Sequence, residues 1–182
     1  YIHEDIYEDL LNRLVKIAES VKIGNGLNPE NQMGPVNNLS QLELIEELVA
    51  DAKSHGGKVL CGGKRLPQDG YFYPPTIISN IAEGVRLVDE EQFGPVLPVM
   101  SFNCIDDVIA RVNNSKLGLA GSVWCGDSQQ GHEIAKQIES GMVWVNHILG
   151  SHPKAPFGGM KESGIGREGG HWGVELMCEL QA

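Results

Sequence analysis

Stretches of three-and-four apolar spacing alternate along this chain with short runs of β-forming residues, and that alternation most constrains its fold. Ile6, Leu10, Leu14, Ile17, Ala18 and Val21 give one apolar face to a helix predicted over residues 5–21, which Gly24 and Gly26 stop. A polar loop follows over 22–38, with Pro29 and a Gly34-Pro35 turn inside it. The second helix is predicted to start at a capping box of Ser40 and Glu43, with Leu39 and Leu44 as its staple. It buries Leu42, Ile45, Leu48, Val49 and Ala52 and ends at Gly56-Gly57. Strands are predicted over 58–61, 96–102, 122–124 and 141–146, the last on Val143, Trp144 and Val145. Residues 71–78 are extended, and Pro74-Pro75 points to a sheet edge. Helices are predicted over 106–113 and 128–138, with Ser128 capping the second. Residues 147–170 read as one loop of seven glycines and two prolines, and 175–181 as the start of another strand. The pattern predicts an α/β fold, a parallel-rich sheet flanked by helices, in a single domain over 1–182.

Two segments carry candidate chemistry. In Glu90-Glu91-Gln92-Phe93-Gly94-Pro95-Val96, a carboxylate and a ring sit two positions apart before a Gly-Pro turn. Gly94 frees the backbone and Pro95 fixes φ, so such a turn can hold both side chains in one orientation. A carboxylate accepts hydrogen bonds from a sugar diol, and a ring covers a flat heterocycle. The other segment is the glycine-laced run from Pro156-Phe157-Gly158-Gly159-Met160-Lys161 to Gly166-Arg167-Glu168. Gly164 to Gly169 also fits GxGxxG, but a dinucleotide fingerprint needs a βαβ unit with an acid about 20 residues on, and Ala182 comes first.

Composition narrows the partners. With 14 basic and 24 acidic residues the net charge is −10, which disfavours nucleic acid and anionic membrane. No apolar run is long enough to span a bilayer, and no signal peptide opens the sequence, so a cytoplasmic location is expected. Cys61, Cys104, Cys125 and Cys178 lack metal-site spacing, and His147 and His152 lack further ligands, so no metal is expected. Tyr1-Ile2-His3 reads as the end of a strand already under way, as in a piece of a longer chain.

Taken together, the Glu91/Phe93 turn and the 156–168 loop resemble the aldehyde dehydrogenase superfamily, NAD(P)-dependent oxidoreductases. The likeness starts at His3-Glu4-Asp5-Ile6-Tyr7, similar to the segment after the family's catalytic Cys. It runs through Gly34-Pro35, Gly62-Gly63, Leu117-Gly118-Leu119-Ala120-Gly121 and Gly141-Met142-Val143-Trp144-Val145-Asn146. Lys116-Leu117 departs from a common aromatic before the glycine. The resemblance implies the C-terminal part of a catalytic domain. Glu91 would accept from the ribose hydroxyls on the nicotinamide side of NAD or NADP, and Phe93 would pack beside them. Phe157 would line the aldehyde tunnel, with Leu149, Gly150 and Ser151 in the loop that tunes substrate choice. Asn146 and Lys161 would hold the strand end and the glycine loop. The family's nucleophilic Cys follows a Gly-Gln pair; Cys104 has none, which leaves it a structural thiol. That Cys, the general base Glu, the oxyanion-hole Asn and the Rossmann-type half would precede Tyr1. The isolated chain is therefore expected to be inactive, and the parent, a homo-oligomer, to oxidise an aldehyde to a carboxylate through a thioester. A non-catalytic structural or oligomerisation module of the same fold is the alternative.

Overall fold

The computed structural model of the chain describes residues 1–179 and 181. The contacts group into two compact units, Tyr1–Cys104 and Ile105–Ala182.

In the first unit, β1 (Ile2–His3) leads through a 3-10 turn (Glu4–Ile6) into α1 (Tyr7–Ser20). After the loop come α2 (Leu39–Ser54), β2 (Lys58–Cys61), β3 (Thr76–Ser79), the short α3 (Arg86–Asp89), β4 (Val96–Pro98) and β5 (Ser101–Phe102). β3 is the middle strand of three, antiparallel to β2 and parallel to β4, while β1 pairs in parallel with β5. All four residues of β3 are buried because its alternate side chains meet a helix layer on each face. Ile78 joins the cluster built on α2 with Leu42, Ile45 and Leu48; Ile77 joins Ile2, Leu11 and Val99 on the side of α1. Each such fully buried side chain contributes roughly 1.5–3 kcal/mol against exposure.

Three expectations are corrected here. The segment after Pro74-Pro75 is central, not an edge: both prolines precede the first ladder residue, so their missing N–H groups cost no pairing. The predicted 96–102 strand is two pieces, since β4 pairs with β3 and β5 with β1, the chain changing partner at Val99-Met100. The cap of α2 is Asn38, whose Oδ1 accepts from the Gln41 amide at 2.9 Å; Ser40 Oγ donates to that same oxygen at 2.7 Å instead of capping.

The second unit contains α4 (Ile105–Asn113), β6 (Leu117–Gly118), β7 (Ala120–Val123), α5 (Ser128–Ala135), β8 (Met142–Val145), β9 (Met160–Lys161) and α6 (Gly170–Glu175). β7 and β8 run parallel, Ala120 opposite Met142 through Val123 opposite Val145, with α5 as their crossover. β6 pairs antiparallel with β9. Asp127, not Ser128, caps α5: its Oδ1 accepts from the amides of Gln129 at 2.9 Å and Gln130 at 3.4 Å. α5 ends at Ala135, short of the predicted 138. The long loop is ordered by β9 and by an antiparallel bridge between Phe157 and Glu168. Of the strand expected over 175–181, Glu175 ends α6 and residues 176–177 turn; Leu180 lies outside the described residues. Three of the five strand pairings among the described residues are parallel, which gives the α/β character.

Candidate functional site

Residues 90–95 link α3 to β4, and their side chains divide into committed and uncommitted groups. Arg86 grips Glu90 as a fork, Nε to Oε1 at 2.7 Å and Nη2 to Oε2 at 3.0 Å. That grip holds the Glu90 carboxyl below the usual carboxylate range. Glu91, next along the chain, is exposed, and among the described residues no hydrogen bond or ion pair engages its carboxylate. Phe93 is 71% exposed. The two candidate cofactor residues therefore present a free acceptor and a free ring from one turn.

The turn itself is fixed. The Gly94 amide donates to Gln92 Oε1 at 2.7 Å, and Gln92 Nε2 donates to the Val96 carbonyl at 2.9 Å. From α2, Gln41 Oε1 accepts from the Phe93 amide at 3.3 Å. Gly94 is needed for close approach, not for left-handed backbone: a Cβ there would overlap Ile45 Cδ1 of α2. One flank of the turn borders a groove of about 490 Å³, walled by Met33, Val36, Asn37, Tyr73, Gln92 and Phe93 among others. Tyr73 is 1% exposed and its hydroxyl has no partner among the described residues. Burial, with the Glu46 charge second, pushes its phenol up to about 12. Neither Gln92 nor Gln41 stands out in the sequence. The Gln41 contact spans 52 positions, for which local pattern gives no signal.

None of the four thiols is disulfide-bonded. Burial pushes the Cys61 thiol up, away from the thiolate that nucleophilic chemistry needs. Cys104 is exposed immediately before α4. Among the described residues no group of three His, Cys, Asp or Glu gathers to hold a metal ion.

The second unit places the candidate substrate residues in one segment. Leu149 is 81% exposed with φ +57°, and Ser151 is exposed two residues on. Trp144 Nε1 donates to the Gly150 carbonyl between them at 2.8 Å. Phe157 is half-buried, its amide and carbonyl both bonded to Glu168 at 2.8 Å. Arg167 Nη1 donates to the carbonyls of Gly159 at 2.8 Å and Gly166 at 2.7 Å, clamping the glycine run. Asn146 clasps the Cys125 main chain, accepting from its amide at 2.9 Å and donating to its carbonyl at 2.8 Å. It thereby joins the end of β8 to the segment after β7. Lys161 Nζ donates to the carbonyls of Asn113 at 2.6 Å and Ser115 at 3.0 Å and pairs with Glu139 at 2.8 Å. His152 Nδ1 accepts from the Lys154 amide at 3.2 Å, a local turn contact. After Gly164–Gly169 the short α6 follows, and no βαβ unit forms there among the described residues.

This fold and these motifs meet known proteins over the whole chain. The aldehyde dehydrogenase family matches residues 1–182. An aldehyde dehydrogenase of Enchytraeus buchholzi is 40% identical over 181 residues, covering 100% of this chain and 36% of that protein. A betaine aldehyde dehydrogenase of Cereibacter sphaeroides (strain ATCC 17025 / ATH 2.4.3) is 37% identical, covering 100% of this chain and 38% of the relative. The NAD+ complex of aldehyde dehydrogenase from Bacillus cereus superposes with a TM-score of 0.91 at 39% identity, covering 95% of this chain and 35% of that one. The chain belongs to the aldehyde dehydrogenase family. It spans a little over a third of the length of the curated relatives it matches.

Proposed function

We propose that the chain is the C-terminal part of the catalytic domain of an NAD-dependent aldehyde dehydrogenase, and that its first unit places the nicotinamide-ribose end of the cofactor. The observation that carries this is the fixed turn on which Glu91 alone of two adjacent carboxylates is left open, beside an exposed ring. These groups suit that role. A carboxylate with both oxygens free can accept from two ribose hydroxyls, and a ring with an open face can cover the adjoining heterocycle. When bound, the cofactor supplies the hydride acceptor. Glu91 and Phe93 restrict how that end can lie, which is how a near-attack geometry is kept. NAD is supported by the NAD+ complexes among similar solved structures, those of Bacillus cereus and of the Staphylococcus aureus betaine aldehyde dehydrogenase. NADP has no comparable support.

In the same reading Phe157, Leu149 and Ser151 line the aldehyde site, and the chemistry proceeds through a thioester on a Cys that this chain does not supply. The substrate is an aldehyde of the small-molecule class and the assembled protein a cytoplasmic homo-oligomer without nucleic-acid or membrane partners. The net charge of −10 argues against binding nucleic acid, and no helix among the described residues is long and apolar enough to cross a membrane.

The test is Glu91→Gln in the full-length polypeptide, which keeps the size and removes the charge. Single-turnover hydride transfer should slow on the order of tenfold or more, the worth of one charge-assisted hydrogen bond, with NAD affinity within a few-fold of the parent. The 182-residue chain assayed alone should form no NADH from aldehyde. Full hydride-transfer rates in the variant, or NADH formation by the chain alone, would overturn the assignment.

A further inference from the structure

We propose that Gln92 is a positioning residue for the acid-and-ring pair, a role that rests on the reading of Glu91 and Phe93 above. It sits between the two in sequence, yet its side chain turns to the main chain. Its Oε1 takes the Gly94 amide at 2.7 Å and its Nε2 reaches the Val96 carbonyl at 2.9 Å, so one amide group spans the turn and closes it. The Glu91 carboxylate has no protein partner among the described residues and the Phe93 ring is 71% exposed, so little besides the main chain sets their directions. Whatever restrains that main chain restrains the pair. Gln41 does so from α2 through the Phe93 amide at 3.3 Å; Gln92 does so from inside the turn. The glutamine amide meets both demands with one planar group, an acceptor on one side and a donor on the other. Glutamate keeps the acceptor for Gly94 but sets a charge against the Val96 carbonyl, and methionine, similar in length, makes neither bond. Because both bonds lie within residues 92–96, their loss loosens the turn without freeing another element.

The experiment uses the full-length polypeptide carrying Gln92→Met, Gln92→Glu or, alongside, Glu91→Gln. Amide hydrogen exchange over residues 90–96 is measured without nucleotide. Single-turnover hydride transfer to NAD+ is measured with an aldehyde deuterated at C1. In Gln92→Met the Gly94 amide should exchange about tenfold faster, as expected for one lost hydrogen bond. Hydride transfer should slow on the order of tenfold with a larger primary isotope effect, because the acceptor is held less well. Gln92→Glu should fall between Met and the parent. A merely structural role would lower the melting temperature and the fraction of active enzyme but leave the isotope effect where it was. Exchange and hydride transfer both within twofold of the parent overturn the proposal, as does faster exchange with unchanged transfer. If Gln92→Met does not fold, the same criteria apply to Gln92→Glu. Slowing by Glu91→Gln alone leaves the pair's role standing and removes that of Gln92. An unchanged Glu91→Gln removes the reading of the pair itself.

Discussion

A buried hydroxyl without a partner is expensive, and Tyr73 is one. The ring packs in the cluster on α2 with Val36, Leu42 and Val96, but its oxygen finds no hydrogen bond among the described residues. Removing an unsatisfied polar atom while keeping the shape is near neutral or stabilising, so Tyr73→Phe should hold or raise the free energy of urea unfolding, by up to about 1 kcal/mol. The same residue gives alkaline stability a sign. Its folded pKa is raised from 10.0 to about 12, so its contribution is fully present below pH 10. Between those values the unfolded chain sheds a proton that the folded chain keeps, and stability falls as pH rises through the window. Urea midpoints at pH 8 and pH 11 should converge in Tyr73→Phe relative to the parent. An equal alkaline loss in both proteins would assign the effect to other groups. Nothing in the sequence marks Tyr73 as unpartnered, because satisfaction is a property of three-dimensional neighbours. The engagement of Glu90 by Arg86 is likewise known only from the fold, because the short α3 that brings the two together is not signalled in the sequence.

At the scale of elements, the four longer helices are legible in the sequence because their apolar period is local, whereas α3 and α6, of four and six residues, are too short to show one. α1 and α2 stand close to their expected spans, and all five residues expected to be buried on α2 are buried. Their ends are less legible because neighbouring residues compete for the same job. Asn38 and Ser40 are comparable capping residues, and the choice falls to the one whose backbone is extended, φ −156° and ψ 172° at Asn38. The consequence is measurable. Asn38→Ala should cost about 1 kcal/mol in urea unfolding, whereas Ser40→Ala, which removes only a donor to the cap, should cost a fraction of that. Equal losses, or a larger loss at Ser40, would restore the capping box. The position of β3 is hidden for another reason. Proline bars a residue from donating to a ladder, but Pro74 and Pro75 stop one step before it begins, and no local pattern shows where a ladder begins. The Gln41 contact is a tertiary fact of the same kind, visible only once α2 lies against the turn.

For the molecule as a whole, burial is unevenly shared. Every buried hydrophobic side chain among the described residues lies between Ile2 and Met100, within the first unit. In the second unit the buried positions among the described residues are glycines 118, 131 and 159. That unit is held by the β7–β8 ladder and by side chains bonded to main chain. Asn113, for example, donates to the Gln137 carbonyl at 2.7 Å and accepts from the Glu139 amide at 2.9 Å. Such bonds net about 0.5–1.5 kcal/mol each, less than a fully buried aliphatic side chain supplies. Trp124, Ile165, Val174 and Met177 meanwhile remain largely exposed. Opening free energies should therefore differ between the units, since local stability follows buried apolar contact. In native-state hydrogen exchange on the 182-residue chain, the slowest amides should be those of β3 and the middle of α2. Those of β7 and β8 should open at a free energy lower by several kcal/mol, at the order of the two or three core side chains they lack. The gap should narrow as added urea brings the first unit toward its own unfolding. Amides of β8 as slow as those of Ile77 and Ile78 would mean that the second unit is stabilised by something other than the burial seen within it.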